Sequence, residues 1–125
     1  MKSTSLGELE KQIMDIVWES QNCSARDVLN ILKKDKKLAY TTVATILQRL
    51  YDKGLLIRKE NSAGHIYIPK VSKEKYIKNV ASSFLKKFIN SFGDTAIVSF
   101  VDSLDKLPDK KRKYFLKILE EYDKN

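Results

Sequence analysis

Cysteine is nearly absent from this chain: Cys23 is the only one in 125 residues. An internal disulfide and a multi-cysteine metal site are thereby excluded. The lone thiol reads as a small residue in a turn and not as a redox centre. Histidine is equally scarce. His65 stands alone, so no zinc site can collect its three or four ligands, and the residue reads as a partly exposed strand position. One His and one Cys on short neighbouring elements cannot assemble a Ser/His/Asp or Cys/His nucleophile, and no Gly-rich phosphate loop occurs. The carboxylates lie among lysines on helical faces, where solvated ion pairs are the default. These absences predict no enzyme, no cofactor and no metal. Long apolar runs are missing too, since nothing approaches the ~20 residues of a membrane span. Met1-Lys2-Ser3-Thr4-Ser5 leads into charged residues without an apolar signal core. The expectation is a soluble cytoplasmic protein.

What is present is positive charge. Lys and Arg total 24 against 16 Asp and Glu, a net charge of +8. Such a balance suits a polyanionic partner, although net charge speaks to association and not to fold. The excess is evenly spread, with 12 basic against 8 acidic groups on either side of residue 71. Only a folded surface can concentrate it.

The most informative stretch runs from Leu38 to Lys53. Val43, Ile46, Leu47 and Leu50 recur at helical spacing as one apolar stripe. Thr41, Thr42, Thr45, Gln48, Arg49 and Lys53 occupy the other side, with groups that can reach base edges or phosphates. Threonine is a middling helix former because its branched Cβ restricts χ1. Three of them on an exposed face favour a surface that binds something over one that only meets water.

Before this helix, Leu9, Ile13, Ile16, Val17 and Trp18 mark the core side of a first helix, with Trp18 as a core plug. Its start fits a capping arrangement of either Ser5 with Glu8 or Gly7 with Glu10. Ser24 with Asp27 caps a second helix, whose buried side is read as Val28, Leu29, Ile31 and Leu32. The charged loop Lys34-Asp35-Lys36-Lys37 separates it from the third. Two short helices and a third with polar groups at its start make a helix-turn-helix order. Gly54 ends the third helix in a left-handed stop. Leu55–Glu60 and His65–Pro69 then form two β-prone runs around Asn61-Ser62-Ala63-Gly64, a hairpin in the place of a wing. Thr41, Thr42, Thr45 and Gln48 are expected to supply base-edge contacts, and Arg58 and Lys59 on that wing join Arg49 and Lys53 as candidates for phosphates or an adjacent groove. The combination predicts a winged-helix DNA-binding domain over residues 1–71.

Ser72 caps a fourth helix, Gly93 interrupts it, and Pro108 is placed in the first turn of a sixth. The apolar positions of residues 72–125 include Tyr76, Val80, Phe84, Phe88, Ile97, Phe100, Val101, Leu104, Phe115 and Leu119. About fifty residues in three short helices cannot bury so much apolar surface alone. Two copies packing together would solve this, and would set two recognition helices roughly 34 Å apart to read a palindrome. The alternative is a tail folded back on the first domain. The fold class read from the sequence is thus mainly α: three helices plus a two- or three-stranded wing, followed by a three-helix C-terminal dimerisation domain.

The pattern Leu9, Ile13-Met14, Val17-Trp18, then Ala39-Tyr40-Thr41-Thr42-Val43-x-Thr45-x-Leu47-x-Arg49-Leu50-x-x-Lys53-Gly54-Leu55-Leu56, then Tyr67-x-Pro69 closely resembles the penicillinase-repressor (BlaI/MecI) family. The likeness covers nearly the whole chain, and Tyr40 to Leu56 is its most specific block. It implies a homodimeric repressor whose Thr41, Thr42, Thr45 and Arg49 face a palindromic operator with TACA/TGTA-type elements, controlling β-lactamase or related cell-wall-stress genes. Some members carry basic residues where this chain has Thr41 and Ala44. The resemblance also implies a membrane-bound β-lactam sensor protease as partner, acting on an Asn-Phe bond of the C-terminal domain; the matching bond here is Ser99–Phe100. A member with a different, unrelated inducer fits every residue equally. Copper-responsive relatives carry C-terminal Cys-x-Cys motifs, and nothing after Cys23 supplies them. A winged helix used only for protein–protein assembly is the rival class, and it has no need of a threonine-rich face or excess positive charge.

Overall fold

The computed structural model describes residues 7–33 and 37–123. Ser5, the charged residues Lys34-Asp35-Lys36 and the segment Met1–Ser5 read above lie outside the described residues. The element order is α1 (Glu8–Ser20), α2 (Ala25–Leu32), α3 (Tyr40–Asp52), β1 (Leu56–Asn61), β2 (Gly64–Pro69), α4 (Lys73–Phe92), α5 (Asp94–Leu104) and α6 (Asp109–Asp123). The fold is mainly helical with one antiparallel two-stranded sheet, as the winged-helix reading expects. Among the described residues, no helix is long and apolar enough to cross a membrane.

Local chemistry sets the boundaries. Gly7 precedes α1, and its N–H donates to Glu10 Oε1 at 3.0 Å, which selects the second of the two caps. Ser24 and Asp27 exchange bonds: Asp27 N–H to Ser24 Oγ at 3.1 Å, and Ser24 N–H to Asp27 Oδ2 at 3.0 Å. Gly54 takes φ +83° after α3. The Gly54 N–H reaches the Tyr51 carbonyl and the Leu55 N–H the Leu50 carbonyl, both at 3.0 Å. That pair of bonds is a Schellman stop, and it turns the chain straight into the wing.

The chain divides into two compact units, Met1–Ala81 and Ser82–Asn125. The division falls within α4, because contacts near its start tie the first turns to α1. Trp18 and Tyr76 rings lie 5.5 Å apart, and Lys73 Nζ is 3.3 Å from Asp15 Oδ1. The core of the first unit is formed by Ile13, Met14 and Val17 of α1, Val28 and Leu29 of α2, and Val43, Leu47 and Leu50 of α3. Leu56 and Tyr67 close it from the hairpin, and Leu9, Ile16 and Trp18 pack at its edge.

Three expectations are corrected here. Ile31 is 46% exposed, while Ala25, Val28, Leu29 and Leu32 form the buried stripe of α2. Those four follow the i, i+3, i+4, i+7 rule, and Ile31 falls off that face. Cys23 is not in a simple turn. It forms a one-residue bridge with Tyr67, N–H to carbonyl at 3.1 and 2.8 Å in the two directions, and so adds a minimal third strand beside the wing. Pro108 stands just ahead of α6, its carbonyl accepting from the Arg112 N–H at 3.0 Å.

In the second unit, α5 follows Gly93, which adopts φ +62°. Phe84 and Phe88 stack at 5.7 Å, Phe88 meets Phe92 edge-on at 5.6 Å, and Phe100 meets Phe115 at 6.1 Å. These contacts leave the helices poorly covered. Ala96 is the one buried apolar residue among those described there, and Phe84 remains 62% exposed.

Candidate nucleic-acid interface

The candidate site is built on α3, whose length and phase follow from its sequence. Val43, Ile46, Leu47 and Leu50 are all buried, which fixes the rotation of the helix. The opposite side therefore emerges by geometry: Thr41, Thr42, Thr45 and Arg49 are exposed. The side chains of the three threonines have no hydrogen-bond partner among the described residues, although the Thr42 backbone N–H donates to the Ala39 carbonyl at 3.1 Å. Their hydroxyls and methyls are available to a ligand, which is the chemistry that base edges and thymine methyls require.

The remaining predicted residues divide. Lys53 lies on one flank, its Nζ 3.0 Å from Glu10 Oε2. The Gly7 N–H holds the Glu10 carboxyl below its ordinary value, burial opposes this, and Lys53 and Arg49 add to the lowering. Gln48 is half-buried and engaged at both ends, donating from Nε2 to Asp52 Oδ1 at 3.0 Å and accepting on Oε1 from Arg58 Nη1. Arg58 in turn lies over the Tyr51 ring, 4.3 Å from its centroid.

The hairpin separates Arg58 from Lys59. Its register pairs Leu56 with Pro69, Arg58 with Tyr67 and Glu60 with His65. Side chains alternate along a strand, so Arg58 shares the inward face with buried Leu56, and Lys59 takes the other. At the tip, the Ala63 N–H donates to Asn61 Oδ1 at 2.9 Å, and Gly64 takes φ +124°. His65 Nδ1 is 3.6 Å from its cross-strand partner Glu60, and the side chain is partly exposed, as a strand position should be. No group of three or more His, Cys, Asp or Glu that could hold a metal ion occurs among the described residues.

Two residues escaped the sequence reading. Arg26 of α2 places its guanidinium 4.8 Å from the centroid of the Tyr40 ring at the start of α3. Both line a cleft of about 600 Å³ with Ala44, His65 and Tyr67, between the start of α2, α3 and the wing. An arginine two residues past a helix cap and a tyrosine at a helix start carry no periodic signal. Their pairing is visible only in three dimensions.

Against known proteins, the sequence profile of the family described as "Penicillinase repressor" matches residues 6–121. The penicillinase repressor of Bacillus licheniformis is 26% identical over 121 residues, covering 97% of this chain and 94% of its own length. The transcriptional regulator BlaI of Mycobacterium tuberculosis is 33% identical over 103 residues, 81% of this chain and 75% of that protein. Among solved structures, the DNA-binding domain of the repressor BlaI superposes with a TM-score of 0.53 at 24% identity, over 60% of this chain and 92% of that one. That last likeness is one of fold.

Proposed function

This chain belongs to the penicillinase repressor family, and from that membership we propose that it is a DNA-binding transcriptional repressor acting as a homodimer on a palindromic operator. Its work is binding and not catalysis, and its place is the cytoplasm, where operator DNA lies. The observation that carries the reading is the outward face of α3. Thr41, Thr42, Thr45 and Arg49 stand exposed on a helix whose opposite face is locked into the core. Seated in a major groove, they would make the base-edge contacts, while Lys53, Arg58 and Lys59 would meet phosphates or the adjacent groove. The Bacillus licheniformis BlaI solved in its monomeric form with the blaP half-operator shares this fold, with a TM-score of 0.50 over 60% of this chain, and that protein's operator complex supports the DNA-binding reading.

The second unit supports the dimer. Its exposed Phe84, Ile97, Val101 and Leu119 would be covered by the same face of a second copy, together with Phe88, Phe100, Leu104 and Phe115, and with Val80 of the first unit. Tyr76 contributes from the first unit, where its ring already rests on Trp18. Relief of repression would come from cutting Ser99–Phe100 within α5, since losing the dimer layer removes the coupling between half-sites. A protease takes its substrate extended, so α5 must open locally before that bond is reached. A membrane-bound β-lactam sensor protease is the proposed agent, and β-lactamase or related cell-wall genes are the proposed targets.

The deciding test is a fluorescence-anisotropy titration against a palindromic TACA/TGTA duplex and a scrambled one of equal length, at two salt concentrations. Tight binding to the palindrome, two protomers per duplex, with affinity falling steeply with salt, is the expected result. Equal weak binding to both would mean either that the operator has diverged with Thr41 and Ala44 or that the winged helix serves a protein partner. Arg49→Ala should weaken specific binding by about 1–3 kcal/mol.

A further inference from the structure

Gln48 and Arg58 come from different elements, and the fold closes them on each other. The Gln48 amide faces the Asp52 carboxylate through Nε2, at 3.0 Å, and the Arg58 guanidinium through Oε1. That orientation is dictated by chemistry. A carboxylate only accepts and a guanidinium only donates, so a reversed amide would present the wrong group to both. Tyr51 completes the arrangement, its ring 4.3 Å below Arg58 Cζ. Consecutive turns at the end of α3 thus form a mount for an arginine of the wing. One face of the guanidinium is covered and one of its N–H groups is engaged, while the rest of the fork is held in a fixed plane.

We propose that Gln48 is a positioning residue for Arg58, which takes a backbone phosphate of the strand running between α3 and the wing, and that Gln48 itself reads no base. The inference rests on the DNA-binding reading above. A glutamine that specifies adenine needs both amide atoms for a bidentate contact, and here both are engaged within the protein. A guanidinium fixed before binding loses less freedom when it meets a planar anionic partner. Base reading then belongs to Thr41, Thr42, Thr45 and Arg49, and the wing contributes affinity through an arginine mounted on the recognition helix.

The experiment compares Gln48→Met, Arg58→Ala and the double variant with the unmutated protein. Methionine keeps the length and helix preference of glutamine and removes both polar ends. Each is titrated by anisotropy against the palindrome, the scrambled duplex and single-base-pair variants of the half-site over a range of salt. Arg58→Ala should weaken specific and scrambled binding by the same factor and lessen the log–log salt slope by about 2 for two protomers. Gln48→Met should move both quantities the same way by less, with the ranking of base-pair variants unchanged. The double variant should bind within about twofold of Arg58→Ala alone, because Gln48 acts through Arg58. Lost preference at a single base pair in Gln48→Met, or multiplying effects in the double variant, would overturn the assignment. Failure of the unmutated protein to prefer the palindrome would instead reject that palindrome as its operator, the reading on which the inference rests.

Discussion

Trp18 donates its indole N–H to the carbonyl oxygen of Val71 at 3.0 Å. The bond ties α1 to the residue that leads out of the wing, and the same ring rests on Tyr76 at 5.5 Å. The exit of the wing and the first turn of α4 are thereby held on the DNA-binding unit by one side chain.

Trp18→Phe keeps an aromatic ring against Tyr76 but removes the indole donor together with the pyrrole part of the ring, so the hydrogen-bond loss sets the least it should cost. The loss of one half-buried hydrogen bond should cost about 1 kcal/mol. Urea unfolding followed by circular dichroism should show a lower midpoint with an unchanged slope. An unchanged midpoint would mean that water replaces the indole N–H without cost.

Glu10 links the cap of α1 to the recognition helix. The Gly7 N–H lowers its carboxyl below the ordinary 4.5, burial pushes the other way, and Lys53 and Arg49 lower it further. A carboxyl depressed in the folded state stabilises that state above its unfolded value, and the contribution disappears as pH falls through the folded value. Stability should therefore drop on acidification from about pH 4.5 downward, and Glu10→Gln should flatten this part of the profile. Parallel profiles for the two proteins would show that Glu10 is not a source of the acid sensitivity.

Much of the fold is written in local spacing. The stripe Val43, Ile46, Leu47, Leu50, the reciprocal cap Ser24–Asp27, the stop at Gly54 and the cap at Ser72, whose Oγ accepts from the Lys75 N–H at 3.1 Å, all work within a few residues. Features that depend on distant partners are not legible that way. Cys23 becomes a bridge residue only because the hairpin brings Tyr67 beside it. The same holds for the site. α3 exposes Thr41, Thr42, Thr45 and Arg49 by its own periodicity, whereas the engagement of Gln48 by Arg58 depends on how the wing folds back on the helix. Ile31 shows that apolar character alone misleads where spacing does not, since the stripe Ala25, Val28, Leu29, Leu32 leaves it off the buried face.

Cys23 should be chemically silent in the folded protein. The side chain is buried, and burial, reinforced by the Asp27 charge, pushes its thiol up to about 11. Thiolate is the reactive form, so at about pH 8 almost none is available. Native protein should resist iodoacetamide, and denatured protein should be labelled within the same time. Rapid labelling of the native state would mean that the bridge to Tyr67 opens readily.

Phe84 offers the sharpest test of the dimer. In the single chain its ring stacks on Phe88 at 5.7 Å and yet remains 62% exposed. Lysine at this position would therefore cost a monomer little, because an exposed helical site tolerates the charge and lysine is a good helix former. In a dimer that covers Phe84, the same lysine would bury a charge without a partner, which is costly. Phe84→Lys should then shift sedimentation from dimer to monomer while the helical circular dichroism signal is kept. Operator affinity should fall with it, because each protomer would bind its half-site alone. An unshifted dimer would place the interface on another face of these helices.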